Sequence, residues 1–206
     1  MSVLLNDLTN ARTYFNLKLN PYLPSSLPKE TLFCLSQSSL SCDTFQFFVR
    51  NFDTSTSPER KKMVYQNFIK SFLTRNDIDV RCSNTSDQEW LLQNFHNFST
   101  FATYEDFLTL KPDFNGVNVV TQLTPEQRAE LTFNLLASGT LNNDTAYAIF
   151  SSFLNDLQGV TLNLTIGNSD GLSKNLTDFL VLLKPFGRFV KSSVNKIISF
   201  VSLEFR

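Results

Sequence analysis

Apolar residues recur along this chain in short stripes at helical spacing, each bracketed by polar cap residues and closed by Gly, Asn or Pro. The pattern is densest from Trp90 to Leu157. Its clearest unit is Leu123-Thr124-Pro125-Glu126-Gln127-Arg128-Ala129-Glu130-Leu131. There Thr124 can cap a helix, Pro125 suits the first helical position and Gln127 completes a capping box. Gly139 supplies the stop. Asn142 or Asn143 then caps a helix with Ala146, Ile149, Phe150, Phe153, Leu154 and Leu157 on one face.

The same grammar reads back towards the start. Leu4, Leu5, Leu8, Ala11, Tyr14 and Phe15 predict one short helix, followed by an extended connection through Pro21 and Pro24. Pro28 starts a helix from Lys29 to about Ser36, and Asp43 is read as the cap of another carrying Phe45, Phe48, Val49 and Phe52. Ser57-Pro58-Glu59 opens the strongest stripe of the first half, made of Val64, Tyr65, Phe68, Ile69, Phe72 and Leu73. Ser86 and Glu89 predict a capping box before Trp90, Leu91, Leu92 and Phe95. A turn at Asn97 to Thr100, a short helix from Thr103 to Leu110 ended by Lys111-Pro112, and another through Val117, Val119, Val120 and Leu123 complete the run. Trp90, Phe68, Leu131 and Phe153 are expected in the interior.

From Gly159 the period shortens. Val160, Leu162, Leu164 and Ile166 alternate with polar residues as in a half-buried strand at 160–166. Helical spacing returns at Leu176 to Leu183 and again through Phe189, Val190, Val194, Ile197, Ile198 and Val201. That terminal helix either packs as a last layer or lies on a membrane surface. The expected fold is all-α, a superhelical, armadillo-like stack of short antiparallel helices, with one possible short strand. The helical-repeat block occupies 1–157, and 158–206 forms a C-terminal connection with amphipathic helices packed on the same domain.

Composition narrows the function classes. A net charge of −1 provides no basic field for nucleic acid or an anionic membrane. Phe accounts for 21 residues, against 5 Tyr and 1 Trp, and at helical spacing these fill a core rather than build a stacking platform. No run approaches the ~18 apolar residues of a transmembrane helix. The opening residues lack a basic leader and the last residues lack a hydrophobic tail, so the chain reads as cytosolic or as a fragment of a longer protein. Arg60, Lys61 and Lys62 are either a docking patch or the solvated face of their helix.

Catalytic chemistry finds little to recruit. His96 is the sole histidine and follows a helix end, where a surface or capping role suffices; Cys82 with His96 is a nucleophile and base pair in form only. Glu105-Asp106 and Glu126/Glu130 lie at helix starts and favour the helix dipole. Neither a phosphate-binding glycine loop nor a paired zinc knuckle occurs, and no cofactor is expected. Five Asn-X-Ser/Thr triplets occur, at Asn84, Asn97, Asn143, Asn163 and Asn175, close to the roughly four that chance supplies. Cys34, Cys42 and Cys82 are the three cysteines. Cys42 and Cys82 flank the helix that begins at Pro58, and two antiparallel helices joined near Asp53 to Ser57 would bring them together. That bridge would contribute ~4 kcal/mol through chain entropy. Cys34 competes for either partner, and three reduced thiols in a cytosolic protein is the other reading.

The succession Cys42 … Val64-Tyr65-Gln66-Asn67-Phe68-Ile69-Lys70 … Cys82 … Glu89-Trp90-Leu91-Leu92-Gln93-Asn94-Phe95 … Phe98-Ser99 … Phe107-Leu108 … Pro112-Asp113-Phe114 … Leu123-Thr124-Pro125-Glu126-Gln127 resembles the mesothelin, stereocilin and otoancorin superfamily. It looks most like that superfamily's large multi-copy vertebrate members, over roughly residues 40 to 157. The resemblance implies a superhelical stack of short helices, an N-glycosylated protein that is extracellular or at the cell surface, and roles in adhesion or matrix attachment through protein or glycan partners. It carries over no binding residue. The alternative is an intracellular helical scaffold.

Overall fold

The computed structural model describes residues 7–19, 27–52, 57–75, 82 and 86–156, and among these the structure is all-α, with no strand. The expected strand at 160–166, the terminal helices beyond it, and Asn84, Asn163 and Asn175 lie outside the described residues. The chain separates into two compact units, Met1–Val119 and Val120–Arg206. Their boundary falls inside the block 1–157 that the helix pattern marks as one.

The first unit begins with α1, Leu8–Tyr14, capped by Asp7 and continued by a wider π turn over Phe15–Leu19. Helix α2 spans Lys29–Ser36, with Pro28 at its start as expected. Helix α3 runs Cys42–Phe52. Its cap is Ser41, whose Oγ accepts from the Thr44 N–H at 3.3 Å; Asp43 falls within the first turn, where its charge still suits the dipole.

The Pro58 helix has three parts: α4, Pro58–Val64; a π turn, Tyr65–Ile69; and α5, Lys70–Leu73. Ser57 caps it by accepting from the Arg60 N–H. In the π turn the Lys70 N–H reaches back five residues to the Tyr65 carbonyl, and the Ser71 hydroxyl donates to the Gln66 carbonyl at 3.0 Å. A π turn takes up one extra residue, which shifts the side chains on either side of it around the helix. Tyr65 packs near Phe95, while Phe68 and Phe72 pack on α3.

Helix α6 covers Asp87–Asn94 and α7 covers Tyr104–Leu110, with a 3-10 turn, His96–Phe101, between them. The Ser86 Oγ accepts from the Glu89 N–H, and the Glu89 carboxylate accepts from the Ser86 hydroxyl. Thr103 and Asp106 make a full capping box, in which the Asp106 carboxylate accepts from the Thr103 N–H at 3.1 Å. A second 3-10 stretch, Gly116–Gln122, kinks at Val119.

Phe builds two aromatic clusters in this unit. In one, Phe45 stacks on Phe72 with centroids 4.1 Å apart, and Phe68 meets Phe45, Phe48 and Phe52. In the other, Trp90, Phe95, Phe107 and Phe114 meet at 5.0 to 6.2 Å, mostly edge to face. Such pairs add to ordinary burial because ring edges and faces carry opposite partial charge.

In the second unit α8, Pro125–Ser138, packs on α9, Asn143–Asp156. The Thr124 and Gln127 capping box forms in both directions, and Gly139 ends α8 at φ 70, a backbone conformation that suits glycine. Asn142 caps α9 through its Oδ1, which accepts from the Thr145 N–H at 2.9 Å. The four residues expected inside, Phe68, Trp90, Leu131 and Phe153, are all buried.

Candidate functional site

Cys42 and Cys82 form the expected disulfide, with Cα atoms 5.0 Å apart. Cys42 is the first residue of α3, and Cys82 precedes α6. Cys34 is a free, exposed cysteine on α2. It lines a cavity of about 270 Å³ with Tyr14, Leu19, Glu30, Thr31, Leu35 and Ser38. Neither His96 nor Cys82 lines that cavity, and the bridge leaves Cys82 no thiol to act as a nucleophile. His96 adopts φ 49 just after α6, so it helps to turn the chain into the 3-10 segment.

Beside the disulfide lies a buried pair of amides. The Gln46 Nε2 donates to the Cys82 carbonyl at 2.9 Å and to the Asn94 Oδ1 at 3.3 Å. The Asn94 Nδ2 donates to the Trp90 carbonyl at 3.0 Å. Neither amide was singled out by the hydrophobic pattern, since polar residues at 46 and 94 read as solvent-facing. The one signal is at Asn94, four residues after Trp90 and three after Leu91 on the buried face of α6; Gln46 lies beside the stripe of Phe45, Phe48, Val49 and Phe52 and carries none.

Charged side chains gather at three further places. Asp106 accepts from the Tyr65 hydroxyl and from the Lys70 ammonium, both at 2.6 Å, as well as from the Thr103 N–H. Burial pushes the Asp106 carboxyl up, but the bonds from Lys70, Tyr65 and Thr103 outweigh it and hold the group below the usual carboxylate range. Burial, then the bond to Asp106, pushes the Tyr65 hydroxyl far above an ordinary phenol. The Tyr65 proton therefore stays in place, and the cluster ties the π turn to α7.

Asp87, at the first turn of α6, accepts from the Lys111 ammonium at 2.7 Å, from the Asn115 N–H at 3.3 Å and from the Asn118 Nδ2 at 3.4 Å. Lys111 also meets the exposed Asp113 at 3.3 Å. Burial pulls the Lys111 ammonium down, but Asp87 and Asp113 overcome it and raise the group above an ordinary lysine. In the second unit Arg128 is buried. Its Nε donates to the Leu123 carbonyl at 2.9 Å and its Nη1 to the Ser152 carbonyl at 3.0 Å, with the guanidinium 5.4 Å from the Phe153 ring centre. It clamps α8 to α9.

These clusters link secondary-structure elements to one another. Among the described residues no group of three or more His, Cys, Asp or Glu is placed to hold a metal ion. No described helix is long and apolar enough to cross a membrane. Of the sequons, Asn97 is exposed on the 3-10 turn and Asn143 is exposed at the first position of α9. Lys62 is exposed while Arg60 and Lys61 are half-buried, and the Lys61 ammonium lies 6.0 Å from the Phe98 ring centre. That basic stretch thus partly covers an aromatic side chain.

No family model matches the chain, and neither a curated protein nor a solved structure does.

Proposed function

We propose that this chain is a non-enzymatic, extracellular helical-repeat module of the mesothelin-like kind, presenting its surface to protein or glycan partners in adhesion or matrix attachment. The observation that carries the reading is the Cys42–Cys82 disulfide, because such bonds persist in oxidising compartments and are rare where glutathione keeps thiols reduced. It is supported by the resemblance over residues 40 to 157, with its short helices and Thr124-Pro125-type starts. The reading extends to the stacking of these helices as a superhelix, and to N-glycans on the exposed Asn97 and Asn143.

The test is intact-mass and peptide analysis of the natively expressed protein. The reading expects Cys42 linked to Cys82, and a glycan mass on the Asn97 or Asn143 peptide that is removed by an N-glycosidase. Three free thiols together with no glycan would sink it and leave the intracellular helical scaffold in its place.

A further inference from the structure

Three cysteines allow three pairings, and chain statistics do not favour the one present in the fold. Cys34 lies eight positions before Cys42, whereas Cys42 and Cys82 are separated by 40. Loop closure falls off roughly as the 3/2 power of length. An unstructured chain would therefore join Cys34 to Cys42 about ten times more readily than Cys42 to Cys82. Some feature of the folded or folding chain reverses that bias.

The amide pair beside the bridge has the geometry to do so. Gln46 lies four residues beyond Cys42 on α3, so the two side chains share a face one turn apart. From there its Nε2 donates to the carbonyl of Cys82 itself, at 2.9 Å. Asn94 fixes the amide by accepting from the same Nε2, and is fixed in turn by donating to Trp90. Gln46 is 8% exposed and Asn94 0%, and the adjoining Phe45, Trp90 and Phe95 are each 0% exposed. An amide at that depth is tolerated only when its polar atoms are paired, so the Cys82 carbonyl is a partner that Gln46 needs. Cys82 also has φ 50, a left-handed conformation that side-chain-bearing residues seldom adopt without support.

We infer that Gln46, braced by Asn94, is the positioning residue that selects the Cys42–Cys82 pairing. It captures the Cys82 carbonyl before the covalent bond exists and so holds the Cys82 thiol against Cys42, while Cys34 stays on the exposed side of α2. The oxidant is a small-molecule disulfide such as glutathione disulfide. One protein thiolate attacks it and expels a glutathione thiolate, leaving a mixed disulfide. The second protein thiolate then attacks the protein sulfur of that mixed disulfide and expels the other glutathione. Two electrons pass from the protein dithiol to glutathione disulfide, and the two thiol protons end on the two glutathione products. Gln46 exchanges neither electrons nor protons; it raises the effective concentration of one thiol at the other. The inference does not depend on the proposed extracellular role, because a redox buffer supplies the oxidant.

The experiment equilibrates the full chain in a series of glutathione redox buffers, traps thiols by alkylation and maps the disulfide-linked peptides. Gln46→Met keeps the side-chain bulk and removes the donor. It should lower the equilibrium constant for the Cys42–Cys82 bond about tenfold, the scale of one buried hydrogen bond left unmade, and peptides linking Cys34 to Cys42 or Cys82 should appear. Leu32→Ala weakens the buried core of α2 without altering the amide pair and serves as the control for general destabilisation. An unchanged pairing pattern in Gln46→Met, or a fall no larger than that in Leu32→Ala, would overturn the inference. If Gln46→Met does not fold, Gln46→Asn decides, since it keeps the amide but withdraws it by one methylene. Parental pairing with the parental constant in that variant would equally refute it.

Discussion

Lys111→Met should be among the most damaging single substitutions on this chain that remove no core hydrocarbon. The Lys111 and Asp87 side chains are only 11% and 9% exposed, and their charged atoms lie 2.7 Å apart. Replacing the lysine leaves a carboxylate out of water with two longer, neutral donors, the Asn115 N–H at 3.3 Å and the Asn118 amide at 3.4 Å. Breaking a buried pair from one side costs about 3–5 kcal/mol, and since two donors remain the lower end applies, about 3 kcal/mol. Asp87→Asn should cost less, about 2 kcal/mol, because Lys111 keeps the exposed Asp113 at 3.3 Å as a second counter-charge. Part of that smaller cost is the loss of a negative charge at the first turn of α6. The double variant should cost about 2 kcal/mol rather than the sum, since Asp87→Asn removes the carboxylate that Lys111→Met leaves uncompensated. Urea unfolding followed by far-UV circular dichroism, with the slope checked for constancy, measures all three. A cost below about 1 kcal/mol for Lys111→Met, or strict additivity in the double variant, would show instead that the pair is solvated.

Replacing Cys42 and Cys82 together with Ser should cost about 4 kcal/mol, from the entropy that a crosslink over a separation of 40 removes from the unfolded chain; an unchanged unfolding midpoint would refute it. Asp106 is held below its ordinary value, so the stability it contributes is present above the unfolded pKa of about 3.9 and is lost as pH falls towards and through the lower folded value. The parent should therefore lose more stability between pH 7 and pH 3 than Asp106→Asn does, and equal losses measured by urea titration at the two pH values would contradict this. Phe68→Ala and Leu131→Ala, at 0% and 1% exposure, should each cost about 3 kcal/mol or more, one in each compact unit; a change under about 1 kcal/mol in either would mean that its apolar stripe is not a core.

Most helix boundaries could be read from neighbouring residues, because they are set by groups within a few positions of each other. Thr124, Pro125, Gln127 and Gly139 satisfy or terminate their own backbone, and the structure places all four in those roles. Thr103 and Ser57 are equally local. The stripes of Phe68, Trp90, Leu131 and Phe153 were legible for a similar reason: helical spacing sets which residues share a face, whatever that face later meets. Close alternatives were harder to separate. Ser41 rather than Asp43 caps α3, and Asn142 rather than Asn143 accepts the capping bond of α9, because neighbouring polar residues have similar capping strength and the approach of the preceding chain chooses between them. The π turn at Tyr65–Ile69 was not legible, since an i, i+4 stripe fits an α-helix as well, and the turn forms where Tyr65 meets Phe95 and Asp106 while Phe68 and Phe72 meet α3. Only tertiary structure could decide the polar interior. Gln46 with Asn94, Lys70 with Asp106, and Asp87 with Lys111 join residues 48, 36 and 24 positions apart, and each side chain reads as solvent-facing until another element covers it. The Cys42–Cys82 pairing was legible from the two helices it flanks, whereas the Gln46 amide that holds the Cys82 carbonyl against α3 came only from the tertiary structure, because nothing near Gln46 in the chain marks a partner 36 residues away.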